Sequence, residues 1–391
     1  MEAWKPKGIE DVDPVTPEQA LEPKRMENVD PVMLEEPTSS KKNMVQVIEV
    51  PSHFKTNESH SLKSAKEWLQ NLDQLTEILS IIGKRDNKNC PQIKIAILDT
   101  GITKEYDDEV NEYIEEYKDF ASGEDKLQQD GTGHGSSILR LLLKLNDDVK
   151  VFVGRVFERD EADDETERVM AEAIMHAKVK WKVDIICIPS GFNPYPPNQR
   201  IRDELYDAVT ATPVDSKTLI FAAASNLGLS SEITYPGCIS QSSKLICLFS
   251  TTGDGDPESP GFNPAAVPNT YNFALLGEGI KIDEGNEKLV RGTSYSTAIA
   301  AAIAAYVMGF AGHSGTKDKI RDVRYPREVE GMTSVFASMT AVIKNRYHIL
   351  KPWKLMDDYQ DTSLSKKERR QEICKNLSKA LRKRDSRRYS Y

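Results

Sequence analysis

Short apolar runs that end in turns of small residues recur through the middle of the chain. Five of them predict buried strands: IKIAIL (93–98), VKVFVGRVF (149–157), VDIICIPSGF (183–192), TLIFAAASN (218–226) and SKLICLFST (243–251). Helical patterns separate these runs, one from Ser136 onward and one around Val169 to Trp181. Strands that alternate with helices indicate an α/β fold with a mainly parallel central sheet and helices on both faces.

The flanking segments have other patterns. Residues 1–60 are rich in Pro and acidic residues and predict a disordered arm, in which MVQVIEV (44–50) is a candidate edge strand. Apolar residues at helical spacing make 61–91 a helical prefix, with its helix over 61–84. After a core domain over 92–312, we expect a helical C-terminal extension over 313–364 and a basic tail over 365–391. Within the extension, the apolar residues from Val335 to Ile343 predict a helix, and Trp353 is expected to tie it to the core.

The longest apolar run, 298–310, belongs to the stretch RGTSYSTAIAAAIAAYVMGF (291–310). It is shorter than the roughly 20 residues that a membrane helix needs, so it predicts a core helix. Ser294 falls at the predicted N-terminus of this helix. There it either caps the helix or faces negative charge that develops on a substrate oxygen near the free N–H groups.

Composition narrows the class of protein. A net charge of -9 and a pI near 5.4 argue against a protein organised as a whole around nucleic acid or anionic lipid. Five cysteines without CxxC or Cys/His metal spacing are typical of reduced thiols. The N-terminus has no apolar signal region, and we therefore expect a soluble, cytoplasmic protein.

Three side chains in separate turns suggest nucleophilic catalysis. Asp99 ends a predicted strand, His134 lies between glycines in DGTGHGSSI, and Ser294 begins a helix. A serine hydroxyl needs a base to remove its proton, and an imidazole base works best when a third group fixes its tautomer. Each residue alone has a plain structural explanation as a turn, loop or capping residue, but the chain order Asp, His, Ser is the order of subtilisin.

Four blocks carry a wider resemblance: IAILDTGI, DGTGHGSSI, FAAASNLG and GTSYSTAIAAA. In this order they resemble the subtilase family of serine peptidases (subtilisin-like, family S8), and the FNP at 262–264 and the PWKL near 352 are most similar to cytosolic subtilases of filamentous fungi. The resemblance covers roughly residues 92 to 312, and it implies a subtilisin-like three-layer catalytic domain.

The resemblance implies a serine endopeptidase that acts on protein or peptide substrates through an acyl-enzyme and needs no cofactor. Ser294 would be the nucleophile, His134 the general base and then acid, and Asp99 the residue that orients His134. Asn226 would donate its amide to the oxyanion beside the backbone N–H of Ser294. The implied substrate-binding residues are Ser190, Gly191 and Ser225.

The chain departs from the family pattern at several positions. Ser296 and Ala298 occupy a segment in which the family usually has a proline, so we expect altered rigidity of the helix behind Ser294. Ser225 stands where a glycine is common and would narrow the primary specificity pocket. Pro189 interrupts the strand that usually pairs with the substrate backbone. These departures leave open a non-catalytic or weakly active subtilase-like interaction module.

Two charged segments have alternative interpretations. The acidic loop over 158–167 lacks the spaced pattern of a calcium loop, so we expect a solvated charge run and no metal site. The basic tail lacks aromatic residues in a nucleic-acid-binding pattern, so nucleic-acid binding is the weaker hypothesis. The arm or the tail is a candidate binding site for a regulatory protein partner, and the helix over 61–84 is another candidate for control of access to the cleft. No membrane contact is expected.

Overall fold

The computed structural model describes residues 45–46, 50, 58–80, 92–103, 108–122, 128–159, 161–162, 164–192, 199–213, 217–259, 261–283 and 288–382. The chain divides into the units Met1–Lys42 and Asn43–Tyr391, and all described residues belong to the second unit. Most of the predicted disordered arm and the end of the predicted basic tail lie outside the described residues.

The strands in this part of the chain are β1 (Val45–Gln46), β2 (Ile93–Asp99), β3 (Ile114–Asp119), β4 (Val149–Arg155), β5 (Glu161–Ala162), β6 (Ile185–Ile188), β7 (Leu219–Ala223), β8 (Ile246–Thr251), β9 (Asn272–Leu276), β10 (Ile280–Lys281), β11 (Leu289–Val290), β12 (Thr340–Lys344) and β13 (Tyr347–Leu350). The α-helices are α1 (Glu58–Leu79), α2 (Asp108–Asn111), α3 (His134–Leu145), α4 (Asp164–His176), α5 (Gln199–Thr210), α6 (Thr293–Gly312), α7 (Val329–Met339) and α8 (Lys366–Leu381).

A nine-stranded sheet with the order β12-β13-β9-β8-β7-β6-β2-β4-β3 forms the centre of the fold. All its neighbouring strands pair in parallel except β12, which pairs antiparallel with β13. The α/β fold predicted from the alternating pattern is therefore confirmed. The carboxyl ends of the parallel strands meet at one edge of the sheet, where loops can bring distant residues together.

Apolar side chains are buried on both faces of the sheet. In β2, Ile95 and Ile97 belong to the core that packs against α3 and α6, whereas Ala96 and Leu98 belong to the core on the other face, with residues of α4 and α5. Successive side chains of a strand point to opposite faces, so a strand covered on both sides reads as a continuous apolar run. This explains why the central strands were recognisable from the sequence.

Helix α6 lies inside the core. It is long and apolar enough to cross a membrane by length and composition, yet 83% of its most apolar stretch of 18 residues is buried within the protein. Its alanines remain below 3% exposure, and small side chains allow close approach to the sheet. The apolar composition is accounted for by burial in this core.

The predicted helical prefix and part of the predicted basic tail pack on the same face of the sheet as α6. Trp68 of α1 contacts Trp353 edge to face, with ring centroids 5.4 Å apart. Ile373 and Leu377 of α8 are fully buried in the same core. Up to Leu381, the predicted tail is thus a packed helix with one charged face.

The predicted helix from Val335 to Ile343 is wrong at its C-terminal end. Helix α7 ends at Met339, and Val342 and Ile343 lie on the edge strand β12 with exposures of 54% and 60%. Asn345 and Arg346 both have positive φ, at 48° and 71°, and form the turn that folds β12 back onto β13. Pairing with β13 prevails over the helical spacing of the apolar residues.

Lys178 allows a test of how the helices on the face of the sheet covered by α4 and α5 are held together. It is 2% exposed, and its Nζ donates to the carbonyls of Ala208, Val209 and Ala211, each at 2.8 Å. These carbonyls lie at the C-terminal end of α5, where acceptors lack partners within the helix and positive charge is favourable.

We expect Lys178→Met to lower the free energy of unfolding by about 3 kcal/mol, because three buried carbonyls lose their donor. Urea denaturation followed by circular dichroism measures the change. Lys180→Met is the matched control, since Lys180 is exposed on the same turn. Equal stability of the two variants would contradict this account.

Candidate active site

The predicted catalytic residues lie where strands end and helices begin. Asp99 is the last residue of β2, His134 is the first residue of α3, and Ser294 is the second residue of α6. Asn226 follows the end of β7 by three residues. Since β2 and β7 both flank β6 in parallel, their carboxyl ends lie at the same edge of the sheet.

Asp99 and His134 form a buried pair. Nδ1 of His134 lies 2.9 Å from both carboxylate oxygens of Asp99, and the two side chains are 9% and 0% exposed. The backbone N–H of Thr100 also donates to Asp99 Oδ1 at 2.6 Å. A carboxylate at Nδ1 holds the proton on that nitrogen, which leaves Nε2 on the opposite side of the ring as the basic atom.

Asn226 is tied to the residue that precedes Ser294. Its Oδ1 accepts hydrogen bonds from the backbone N–H of Thr293 at 2.9 Å and from the Thr293 hydroxyl at 3.1 Å. With Oδ1 held in this way, the Nδ2 donor group is directed toward Gly292: it would lie 3.2 Å from a Cβ added there. An amide donor and the N-terminus of α6 therefore converge beside Ser294, which is 1% exposed.

Helix α6, which begins at Thr293 and contains Ser294, is attached to the sheet by hydrogen bonds of Ser296 and lacks the proline that is usual in the family. The hydroxyl of Ser296 donates toward the carbonyls of Leu275 and Leu276 at 3.1 and 3.2 Å, so the first turn of α6 is bound to the end of β9. Ala298 is fully buried. These bonds link the first turn of α6 to the sheet without a proline.

The predicted substrate-binding residues lie on the strand ends next to this site. Ser225 accepts from the Thr293 hydroxyl through its carbonyl at 3.4 Å, and its own hydroxyl lies 3.4 Å from that of Ser231. Strand β6 ends at Ile188, so Pro189 follows the strand and does not interrupt its pairing with β7. Ser190 and Gly191 come next and are both buried.

Thr234 was not predicted from the sequence, although it borders the predicted substrate-binding pocket. A Cβ added to Gly191 would overlap the Thr234 hydroxyl, which donates to the carbonyl of Ala224 at 2.8 Å. Thr234 thus closes the space between the ends of β6 and β7. No short motif surrounds it, and only the tertiary fold brings it to Gly191.

A cavity of about 270 Å³ lies beside His134. Tyr295 and Arg291 line it together with Val50, which sequence reasoning assigned to the disordered arm. The Tyr295 ring stands edge-on to the imidazole of His134, with centroids 5.8 Å apart. Residues from the predicted arm, the turn of His134 and the start of α6 therefore share one cleft.

Metal ligands are not grouped in the part of the chain that the structure describes: no three His, Cys, Asp or Glu residues there are placed to hold an ion. The acidic segment over 158–167, considered above for calcium, contains β5 and the start of α4.

Comparisons with known proteins identify the family. The family model described as the subtilase family matches residues 91–325. A curated relative, the subtilisin-like protease het-Q2 of Podospora anserina, is 30% identical over 190 residues, which is 46% of this chain and 50% of that protein. The chain thus aligns with about half the length of this relative.

Solved structures show the same fold. MycP1 without its N-terminal propeptide matches with a TM-score of 0.53 and 15% identity, covering 77% of this chain and 98% of that chain. A lanthipeptide protease matches with a TM-score of 0.51 and 13% identity, covering 67% and 86%. Since the family model spans well over half of the residues and the α/β fold agrees with it, the chain belongs to the subtilase family of serine peptidases.

Proposed function

We propose that the protein is a serine endopeptidase that cleaves peptide bonds of protein or peptide substrates through an acyl-enzyme. The observation that carries the proposal is the position of His134 Nδ1, 2.9 Å from both oxygens of Asp99. The hydrogen bonds from Thr293 to Asn226 support it, because they direct an amide donor toward the first turn that contains Ser294.

In the proposed reaction, the Ser294 hydroxyl attacks the carbonyl carbon of the substrate and its proton passes to His134 Nε2. The oxyanion that forms is stabilised by Asn226 Nδ2 and the backbone N–H of Ser294. When the C–N bond breaks, His134 returns the proton to the leaving amine and the acyl group remains on Ser294. Water then repeats the sequence with His134 as base, releasing the carboxylic acid and restoring the Ser294 hydroxyl.

Asp99 remains ionised in this scheme and stabilises the imidazolium that forms. Its complete burial strengthens the interaction, since a buried pair is screened less by water than an exposed one. We place the enzyme in the cytoplasm, because five cysteines without CxxC or Cys/His metal spacing are typical of reduced thiols. Cys187, Cys238, Cys247 and Cys374 have no disulfide.

The N-terminal arm is our proposed point of regulation. Strand β1 pairs antiparallel with β5, and Val50 lines the cavity beside His134. Val50 Cγ2 lies only 3.5 Å from the position of a Cβ on Gly292. Because Val50 borders the candidate active site, the arm competes with substrate for the same surface. A regulatory protein that bound the arm would act by withdrawing it.

We expect a fluorophosphonate probe to label the wild-type protein at neutral pH, and mass spectrometry to place the adduct on Ser294. Ser294→Ala should abolish labelling, because the nucleophilic oxygen is gone. Ser242→Ala is the control, since Ser242 is an exposed serine and its loss should leave labelling intact. Wild-type protein that stays unlabelled, or equal labelling of Ser294→Ala, would refute the proposal and favour the non-catalytic interaction module.

Hydrolysis of a fluorogenic peptide library tests the partners of Ser294. Asp99→Asn should lower kcat by about ten-thousandfold, since the wrong imidazole tautomer is then held. Asn226→Ala should lower kcat by about a hundred- to a thousandfold, the loss measured for the corresponding asparagine of subtilisin. Wild-type kcat in either variant would remove that residue from the mechanism.

The variant Val50→Arg tests whether the N-terminal arm limits access to the candidate active site. Arg291 and Lys288 line the same cavity, and Asp283, the one carboxylate among its described lining residues, is paired with Arg140 at 2.6 Å, so an added guanidinium should be repelled and the arm displaced. We expect the rate of probe labelling at Ser294 to rise about tenfold, equivalent to roughly 1.4 kcal/mol of lost arm binding. Val342→Arg, on the exposed edge strand, is the control. An unchanged rate would show that the arm does not limit access.

A further inference from the structure

The carboxylate of Asp130 lies at the centre of a dense set of hydrogen bonds next to the catalytic pair. Its Oδ1 accepts from the Thr100 hydroxyl at 2.8 Å, the backbone N–H of Gly133 at 2.8 Å and that of Thr132 at 3.1 Å. Its Oδ2 accepts from the backbone N–H and the hydroxyl of Ser136 at 2.8 and 2.7 Å.

These donors come from the two turns that carry the catalytic pair. Thr100 is the residue after Asp99, and Gly133 is the residue before His134. The Thr100 hydroxyl also accepts from the backbone N–H of Gly135 at 3.0 Å. The two turns approach so closely that a Cβ on Gly135 would overlap the carbonyl of Gly101. One carboxylate therefore joins the turn of Asp99 to the turn of His134.

Asp130 also caps the helix that begins with His134. The N-cap position of α3 is Gly133, with φ of 78°, and it has no side chain to receive the free N–H groups. Asp130 accepts from Gly133 and from Ser136 in the first turn, and its negative charge faces the positive end of the helix. Burial alone would raise the pKa of Asp130, but hydrogen bonds from Ser136, Thr100 and Gly133 lower it below its ordinary value.

We propose that Asp130 is a positioning residue, which sets the distance and angle between Asp99 and His134 by binding both turns and the start of α3. It acts through Thr100, Gly133 and Ser136 and not on the substrate. The proposal rests on the proposed peptidase function for its kinetic consequences, whereas its geometric consequence, the hydrogen bond between Asp99 and His134, can be observed without any substrate.

Three variants dissect the network. Asp130→Ala removes every hydrogen bond that this carboxylate accepts. Asp130→Asn retains an acceptor at Oδ1, but its amide N–H groups replace Oδ2 and face the backbone N–H of Ser136, so that bond is lost. Thr100→Val keeps the shape of the side chain and removes the hydroxyl that donates to Asp130 and accepts from Gly135 and Thr132. Ser365→Ala serves as a stability control: Ser365 caps α8 by accepting from the Glu368 N–H at 3.3 Å, and its loss should cost about 1 kcal/mol.

We expect Asp130→Ala to lower kcat by about a hundredfold and each of the other two variants by about tenfold, because small displacements of catalytic groups are costly, while KM changes less than about twofold. Proton NMR should show a downfield His134 Nδ1–H resonance in the wild type, identified by its loss in His134→Ala. This resonance should broaden or disappear in the Asp130 variants and persist in Ser365→Ala.

Wild-type kcat and an intact resonance in folded Asp130→Ala would overturn the proposal. If Asp130→Ala does not fold, Asp130→Asn and Thr100→Val decide by the same two readouts, with folding checked by circular dichroism. A wild-type protein that hydrolyses nothing yet shows the resonance would refute the peptidase function alone. The change of the resonance in the variants would then still test whether Asp130 positions the pair.

Discussion

Burial of the alanine-rich helix α6 against the parallel sheet is the constraint on which the structure depends. The helix has only small or apolar side chains to offer the core along most of its length, so it can be stable only inside the protein. That burial directs its N-terminus to the edge where the parallel strands end. The Ser296 hydroxyl and the N–H of Thr293 then fix the first turn, through β9 and Asn226 respectively. The position of Ser294 is a consequence of core packing.

The second half of the site depends on polar contacts between turns. The end of β2 supplies Asp99 and the start of α3 supplies His134, and Nδ1 of His134 lies 2.9 Å from the Asp99 carboxylate. The Asp130 carboxylate accepts hydrogen bonds from both turns, through Thr100 and Gly133. Core packing thus holds the first turn of α6, and a local hydrogen-bond network joins the turns of Asp99 and His134.

Sequence patterns predicted helices and strands well where a single cause, such as burial of a strand on both faces, determined the pattern. Strands β2, β4, β6, β7 and β8 are buried on both faces and appear as apolar runs, and α1 shows a clear helical period. Prediction failed where two causes competed. The apolar spacing around Val342 suits a helix, but pairing with Tyr347–Leu350 places it on an edge strand. Strand β9 was also missed, although all five of its residues are buried.

By itself, the sequence determined the fold class, the family and the candidate residues Asp99, His134, Asn226 and Ser294, because each lies in a local motif whose residue types suit its chemistry. Only the tertiary structure decided the contacts between residues that lie far apart in the sequence. These are the hydrogen bonds of Ser296 to β9, the contact of Thr234 with Gly191, the place of Val50 in the cleft and the hydrogen bond of Thr100 to Asp130. The physical reason is that these contacts join residues of separate elements, and only the folded sheet and helices bring such residues within hydrogen-bonding distance.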